Sequence, residues 1–330
     1  MTEMNRDLTI MPGRKCRKSS TLSIGFLRLP FSSVLALMIS FVFIAASAKA
    51  QGTRYPIEES GYYGYIDSCG KVVVKPTLRT LPRLSGGLER TKKYSVFSGT
   101  RWGFVDSTGR EVIPFEYSEA GDFHEGRARV LKRPVIFPFL TRDRFGYIDP
   151  TGRLVINYKY DIAGDFSEGL ANVSIDGRSG YIDTAGRVVI PIRFQHAGTF
   201  SCDLAPVEEN GMWGYIDTTG RDVIKPRFVS ARAFYDGRAL VRDGSDWKFI
   251  TRSGDEAFRF KFADARRFSE GVAAVKVGGL WGYVDTAGSY VMKPAFSDAN
   301  PFWHGLAFVE TAQWHGYINH DGKVVWKSSR

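Results

Sequence analysis

The sequence predicts an all-β protein, a tandem array of antiparallel β-hairpins that are each extended to a three-stranded meander. Three observations predict this fold class: an aromatic-Gly-aromatic core that recurs along the chain, a turn that ends in a second glycine six residues after the core glycine, and short β-favouring runs between turns. A fixed period of this length indicates that each repeat buries its apolar face against its neighbours.

The central position of the core recurs eight times after residue 50, and we number the repeats 1 to 8 accordingly. The aligned residues are Gly64, Gly103, Gly146, Gly180, Gly214, Lys248, Gly282 and Gly316. The last five intervals are all 34 residues. Repeat 6 is degenerate, because Lys248 replaces the core glycine and Thr251 replaces the aspartate of the turn.

The first fifty residues are of a different kind. A basic region precedes an uncharged run over residues 29–48, which ends in Ala48-Lys49-Ala50. This order is typical of a secretory signal peptide. We therefore expect residues 1–50 to be a cleaved signal and residues 51–330 to be a single exported repeat domain, periplasmic or secreted. The alternative is an anchor formed by an uncleaved N-terminal helix, since the apolar run is about long enough to span a bilayer.

The net charge argues against one class of partner. The whole chain carries +10, but residues 51–330 hold 38 Lys/Arg against 33 Asp/Glu, which leaves +5. The basic residues of this part are interspersed with acidic ones and form no run of five. We therefore expect no nucleic-acid partner, and membrane contact only through an uncleaved signal.

Repeat 5 illustrates the predicted elements in order: a first strand over residues 204–208, a turn, a middle strand over 213–217, and a second turn that ends at Gly220. Asp217 is expected to accept backbone amides in that turn, where Gly220 adopts positive φ. Trp213 and Tyr215 fall on one strand face and are expected to pack consecutive repeats. A glycine between them predicts close approach by a ring or backbone of the next repeat.

The remainder of each repeat contains a proline and a link. The third strand is expected to end at its proline, which lacks a backbone donor. These prolines are Pro114, Pro191, Pro226 and Pro294. The link carries apolar anchors and an acidic-Gly pair, such as Glu168-Gly169, and is expected to form a compact loop or a short fourth strand.

The signature Trp-Gly-Tyr/Phe-Ile/Val-Asp-x-x-Gly, followed by Val-Ile-Pro and Glu-Gly-Leu-Ala-x-Val, resembles that of the WG-repeat family over residues 52–330. The residues that carry the signature are Trp102, Gly103, Asp106, Gly109, Gly146, Asp149, Gly152, Gly180, Asp183, Gly186, Trp213, Gly214, Asp217, Gly220, Trp281, Gly282, Asp285 and Gly288. The resemblance implies a β-rich bacterial repeat protein with no general biochemical activity attached.

The ends of the repeat region bear on whether the array is open or closed. Repeat 1 opens on a complete first strand, and repeat 8 closes on a complete third strand. A ring sealed by sharing one repeat between the termini would show a split repeat instead. We therefore expect an open, solenoid-like stack, with a closed β-propeller-like toroid as the alternative.

The sequence offers little chemistry. The five histidines are dispersed, and no nucleophile elbow, phosphate-binding loop or Cys/His cluster is present. We therefore expect no enzymatic activity, no cofactor and no metal site. The predicted function is an exported protein-binding or scaffolding surface in the cell envelope. The alternative is a carbohydrate or cell-wall polymer binding module that uses exposed aromatic residues. The candidates for that role are Tyr63, Trp303, Trp314 and Trp326.

Overall fold

The computed structural model describes residues 53–78, 84–85, 87–95, 99–106, 109–133, 143–259 and 262–329. The predicted signal peptide lies outside the described residues. The described residues form two compact units: a larger unit within Pro82–Pro294, and a smaller unit that combines parts of Cys16–Leu81 and Ala295–Arg330. Every regular element in these ranges is a β-strand, as the fold class predicts.

The strands fall into eight sheets, one for each repeat. Sheets 1 and 2 contain β1 (Tyr55–Glu59), β2 (Tyr62–Ile66) and β3 (Val72–Leu78), then β4 (Leu84–Ser85), β5 (Leu88–Ser95), β6 (Gly99–Val105) and β7 (Glu111–Tyr117). Sheets 3 and 4 contain β8 (Glu119–Ala120), β9 (Ala128–Leu131), β10 (Phe145–Ile148) and β11 (Leu154–Tyr160), then β12 (Ile162–Ala163), β13 (Leu170–Ile175), β14 (Arg178–Asp183) and β15 (Val188–Phe194).

Sheets 5 and 6 contain β16 (His196–Ala197), β17 (Leu204–Glu209), β18 (Met212–Asp217) and β19 (Asp222–Phe228), then β20 (Ser230–Ala231), β21 (Ala239–Asp243) and β22 (Asp246–Ile250). Sheets 7 and 8 contain β23 (Asp264–Ala265), β24 (Val272–Val277), β25 (Leu280–Asp285) and β26 (Tyr290–Phe296), then β27 (Asp298–Ala299), β28 (Leu306–Glu310), β29 (Trp314–Asn319) and β30 (Val324–Ser329).

Each sheet is an antiparallel meander in chain order, as β16-β17-β18-β19 shows. Six sheets have four strands, because the link contributes a two-residue strand that pairs with the following strand. In sheet 5 this strand places Ala197 opposite Val207. The prediction of three strands per repeat is therefore too low for those six sheets, and the fourth-strand interpretation of the link is the one observed.

A β-bulge in the third strand explains the glycine at the centre of the core. In sheet 5, Trp213 pairs with Phe228 while Tyr215 pairs with Ile224, so four residues of β19 oppose two residues of β18. A Cβ on Gly214 would lie 2.5 Å from the Ile224 carbonyl oxygen and 2.7 Å from the Pro226 nitrogen. The close neighbour is thus backbone of the same sheet, and the expectation of contact from the next repeat is wrong.

Repeat 6 supports this explanation. Its middle strand carries Lys248, and sheet 6 has no third strand among the described residues. Only isolated bridges join β22 to the chain that follows, at Ile250 with Glu256 and at Trp247 with Phe262. Because the residues described after β22 form no bulged ladder at this position, the constraint that requires glycine in the other repeats does not apply to Lys248.

The third strands do not end at their prolines, contrary to expectation. Strand β15 continues past Pro191 to Phe194, and β19 continues past Pro226 to Phe228. Among the described residues, each of these strands has a neighbour on one side only. Proline is tolerated on such an edge strand and at bulges, because its missing N–H leaves no central ladder unpaired.

The hydrophobic core lies between consecutive sheets. One cluster joins Tyr215 and Ile224 of repeat 5 to Val241 and Ile250 of repeat 6. Tyr215 is fully buried, and its hydroxyl donates a 2.7 Å hydrogen bond to the Arg232 carbonyl oxygen. The prediction that ring-bearing strands pack consecutive repeats is confirmed.

A second contact between repeats uses the acidic-Gly pair of the link. The Glu168 carboxylate accepts hydrogen bonds from the backbone N–H groups of Cys202 and Asp203, both at 2.9 Å. In the same way, the Glu125 carboxylate accepts hydrogen bonds from the backbone N–H groups of Glu168 (3.0 Å) and Gly169 (2.9 Å), which lie in the link one repeat after Glu125. The acidic residue of each pair therefore binds the backbone of the next link. This contact is additional to the sharp turn that the glycine of the pair permits.

Repeats 1 and 8 pack against each other within the smaller unit. Tyr55, Ile57 and Ile66 share one buried cluster with Leu306 and Tyr317. Two hydrogen bonds join the same repeats: the Tyr55 hydroxyl donates to the His304 carbonyl (2.6 Å), and the Tyr317 hydroxyl donates to the Pro56 carbonyl (2.7 Å). An open stack separates its terminal repeats, so the open arrangement is wrong and the closed alternative agrees with this contact.

Sequence reasoning missed this closure because a ring does not require a split repeat. A complete first repeat and a complete last repeat can also pack against each other. Here the Tyr317 hydroxyl and the Tyr55 ring make the contacts that equivalent residues make between other consecutive repeats. In sheet 4, for example, the Tyr181 hydroxyl donates to the Gly198 carbonyl of the next link at 2.7 Å. Repeat 8 therefore uses repeat 1 as its next neighbour.

Candidate binding surfaces

The aspartates of the signature lie at the second turn and hold it by hydrogen bonds. In repeat 5, Asp217 Oδ1 accepts the N–H groups of Thr219 (2.8 Å) and Arg221 (3.1 Å), and the Thr219 hydroxyl at 2.6 Å. The hydroxyl of Thr219, followed by these backbone donors, holds the pKa of Asp217 below its ordinary value. The aspartates are thus engaged in turn geometry.

The four aromatic candidates for carbohydrate binding all belong to the smaller unit, and each is half-buried rather than exposed. Trp303 meets the buried Tyr55 edge-on, with ring centroids 5.6 Å apart. Trp326 lies opposite Tyr317 in register, with ring centroids 6.3 Å apart. Trp303 and Trp326 also line the core that joins repeats 1 and 8.

Tyr63 and Trp314 are not among the residues described as packing against that core. Tyr63 is in the middle strand of sheet 1, opposite Glu58 and Leu78, and Trp314 begins β29 opposite Ser329. The Trp314 carbonyl accepts the Thr311 hydroxyl at 2.9 Å. The structure therefore does not gather the four rings into one platform by any contact described, and carbohydrate binding through them stays a prediction.

A row of exposed aliphatic side chains recurs on the third strands. Its members in the larger unit are Val112, Leu154, Val188, Val189, Val223 and Val291. In β15, Val188 is 52% and Val189 is 44% exposed, whereas the following Ile190 is 1% exposed. Valines of the smaller unit, Val72, Val73 and Val324, occupy the equivalent positions. We call the members in the larger unit the aliphatic edge row.

The aliphatic edge row lies on strands with one unpaired edge, but most of these strands are protected against strand addition. Pro114, Pro191, Pro226 and Pro294 interrupt the donors of β7, β15, β19 and β26. Recurrent apolar side chains on a proline-blunted edge favour contact with a folded partner through side chains over addition of a β-strand.

A third feature is a series of cations stacked on the core tryptophans. The Arg232 guanidinium lies 5.0 Å from the ring centre of Trp247, and the Arg266 guanidinium lies 4.9 Å from that of Trp281. Arg90 lies 4.8 Å from the ring centre of Trp102. Sequence reasoning missed these pairs, although arginine at positions 232 and 266 replaces a glycine found in repeats 2 to 4.

Paired charges in repeats 2 to 4 join residues of consecutive repeats. Asp165 receives the Arg129 guanidinium and lies 3.5 Å from His124 Nε2. One repeat earlier, Arg90 Nε lies 3.1 Å from Asp122 Oδ1. Each carboxylate pairs with an arginine of the preceding repeat, so these pairs join consecutive repeats.

Among the described residues, no group of three or more His, Cys, Asp or Glu side chains is placed to bind a metal ion. Within the same ranges, no helix has the length and apolar character needed to cross a bilayer.

Comparison with solved structures gives the class. A eukaryotic initiation factor matches with a TM-score of 0.52 at 12% identity, over 85% of each chain. Hsv2 of Kluyveromyces lactis gives 0.44 at 10% identity, over 74% of this chain and 94% of that chain. An uncharacterized protein of Listeria monocytogenes gives 0.39 at 11% identity, over 84% and 90%. With its repeated antiparallel sheets, the chain is a repeat protein of the β-propeller type.

The sequence comparison gives the family. The WG containing repeat matches six times, at residues 102–133, 145–178, 180–213, 213–247, 249–281 and 281–311. The chain belongs to the WG containing repeat family. No curated protein matches it by sequence.

Proposed function

We propose that this chain is an exported, non-enzymatic repeat protein that binds another protein in the cell envelope. The observation that supports this role most strongly is the aliphatic edge row. Apolar side chains exposed at equivalent positions of successive sheets form a recurrent surface, and recurrent apolar surface typically marks a protein contact.

The size of the row suits a protein partner. Full burial of a valine or leucine side chain contributes roughly 1.5–3 kcal/mol, so a side chain that starts about half-exposed contributes roughly 1 kcal/mol. A single repeat therefore contributes too little to offset the cost of association, which is on the order of 4–15 kcal/mol. Several repeats must engage at once, which requires a partner that spans more than one sheet.

The test replaces three members of the row in adjacent sheets, Val188, Val189 and Val223, with serine. The wild type and this triple variant are used to capture envelope proteins, and a matched variant carries serine at the exposed polar positions Lys225, Thr218 and Arg221. A protein captured by the wild type and the control, but not by the triple variant, supports the proposal. Identical sets captured by all three proteins overturn it.

Export is tested separately by cell fractionation and N-terminal sequencing. The proposed signal predicts that the mature chain begins at Gln51 in the envelope fraction. An intact N-terminus in the cytoplasm contradicts export.

A further inference from the structure

Positive charge recurs at two equivalent positions that follow the aliphatic edge row. These positions are the fifth and the seventh residue after the glycine that ends the second turn, from Gly109 in repeat 2 to Gly288 in repeat 7. The twelve residues there hold seven Lys/Arg against one Asp/Glu, a balance of +6, whereas residues 51–330 as a whole carry +5. All other positions of the repeat domain therefore sum to −1.

Six of these cations lie in the described residues, and all six are exposed: Lys159, Arg193, Lys225, Arg227, Arg259 and Lys293. Two of them are engaged within the protein, because Arg193 pairs with Glu209 and Arg227 donates to the Gly254 carbonyl oxygen at 2.5 Å. Among the described residues, no carboxylate pairs with the side chains of the other four. We call Lys159, Lys225, Arg259 and Lys293 the cationic band.

The cationic band differs in this respect from residues 127–144, another basic stretch of the larger unit. In that stretch the ion pairs are Lys132–Glu116, Arg133–Asp143 and Arg144–Asp161. The charge of those cations is offset by carboxylates of the protein itself. The cations of the band keep their charge available to a partner.

The cationic band and the aliphatic edge row share the same edge strands. In β19, Val223 and Lys225 are both exposed, and Ile224 between them is 4% exposed. In β26, Val291 and Lys293 have the same spacing, and both are exposed. Two residues of a strand span about 7 Å, so one partner can cover the valine and meet the cation of the same strand.

Protection of the edge does not explain the uniform sign of the charge. Charged side chains on an edge strand hinder the addition of another strand. A charge of either sign serves that purpose, and Pro226 and Pro294 already interrupt the donors beside Lys225 and Lys293. Repeat 2 carries Glu116 at an equivalent position, so an acidic residue fits there.

We propose that the partner that covers the aliphatic edge row is an acidic protein, whose carboxylates meet the cationic band. This inference rests on the proposed function, since it names the chemistry of that partner. Charge complementarity of this kind raises the association rate and selects among partners. Acidic polysaccharides and nucleic acids match the charge but have no aliphatic side chains to cover the valines.

Two synthetic copolymers are the probes, poly(Glu,Tyr) and poly(Lys,Tyr), which share an apolar residue and differ in the sign of their charge. Biolayer interferometry at low and high salt is the measurement. K225Q/K293Q neutralises two members of the cationic band and keeps the row, whereas V188S/V189S/V223S removes part of the row and keeps the band.

Two further variants are controls. K132Q/K248Q removes two lysines of the same unit that already pair with Glu116 and Asp243. K225R/K293R keeps the charge of the band, so it should bind poly(Glu,Tyr) as the wild type does.

We expect the wild type to bind poly(Glu,Tyr) and not poly(Lys,Tyr). K225Q/K293Q should bind poly(Glu,Tyr) about fivefold more weakly at low salt, because two exposed contacts between lysine and carboxylate are lost. K132Q/K248Q should change the affinity less than about twofold, and high salt should reduce the difference between the variants. V188S/V189S/V223S should also bind poly(Glu,Tyr) more weakly, because it lacks apolar contacts.

The results separate this inference from the proposed function. Equal binding of the two copolymers, no binding of either, or equal losses in K225Q/K293Q and K132Q/K248Q overturns the acidic partner. If the valine variant alone loses binding, the proposed function stands without the acidic partner. If K225Q/K293Q alone loses binding, the result supports recognition of carboxylates and contradicts the use of the row. Tighter binding of polygalacturonate, single-stranded DNA or phosphatidylglycerol vesicles than of poly(Glu,Tyr) overturns the proposal.

Discussion

Substitution of Gly214 by alanine tests whether the bulge in the third strand is the reason that glycine occupies the centre of the aromatic-Gly-aromatic core. The added Cβ would lie 2.5 Å from Ile224 O, 2.7 Å from Pro226 N and 2.9 Å from Lys225 C. All three atoms are backbone, so no flexible side chain can move aside. Overpacking of this kind costs about 1–3 kcal/mol, and the upper part of that range applies here.

The intrinsic preference of the strand works in the opposite direction. Alanine is favoured over glycine in a strand interior by about 0.5–1 kcal/mol, because glycine loses more backbone entropy on folding. We therefore expect a net loss of about 2 kcal/mol in the free energy of unfolding of G214A.

Lys248 provides the matched control, because it occupies the same position in repeat 6, where the described residues contain no bulged third strand. K248A should change the free energy of unfolding by less than about 1 kcal/mol, since it removes only a partly exposed ion pair with Asp243. Urea denaturation followed by tryptophan fluorescence measures both variants. Equal destabilisation by G214A and K248A would refute the bulge explanation.

Two further predictions concern the contacts that the signature residues make. Replacement of Glu168 by alanine should lower the free energy of unfolding by about 2 kcal/mol, because two backbone N–H donors lose a charged acceptor. The control variant E209A, which breaks an exposed ion pair, should lower it by less than about 1 kcal/mol. Similar values for the two variants in urea denaturation would contradict the stabilising role of the Glu168 hydrogen bonds. The pKa of Asp217 is lower in the folded protein than in the unfolded chain, so the folded state binds this proton less tightly. The ionised carboxylate therefore stabilises the fold at pH values above the ordinary aspartate pKa of about 3.9. This stabilisation is lost as the pH falls through the folded-state pKa. Thermal unfolding between pH 6 and pH 3 should show a shallower decline in D217N than in the wild type, and parallel curves would show that the turn does not contribute.

The sequence alone predicts the repeat elements well, because their causes are local. The turn at Asp217 and Gly220 follows from side-chain acceptors and positive φ, and Gly220 does adopt φ of 84°. Burial of Tyr215 follows from the period of two in a strand. Each of these features is fixed by residues within one repeat, so the pattern carries the information.

Contacts between residues far apart in the sequence could not be predicted from the repeat pattern. The contact of Tyr55 with His304 of repeat 8 joins residues 249 positions apart, and no single repeat encodes it. The role of Glu168 was missed because the neighbouring Gly169 already accounts for the turn at this position. The stacking of arginines on tryptophans had a visible signal, the replacement of a recurring glycine by Arg232 and Arg266, but the stacking partners appear only in three dimensions.

The most direct test of the account is the distance between repeats 1 and 8. Cys69 is an exposed free thiol, and its neighbour Gly70 contacts Val325 of repeat 8. A spin label on native Cys69 and another on K327C, measured by double electron–electron resonance, should give a distance distribution centred below about 30 Å. Seven intervals between packed sheets at about 10 Å each would place the labels about 70 Å apart in an open stack. A distribution centred near that longer value would contradict closure of the array.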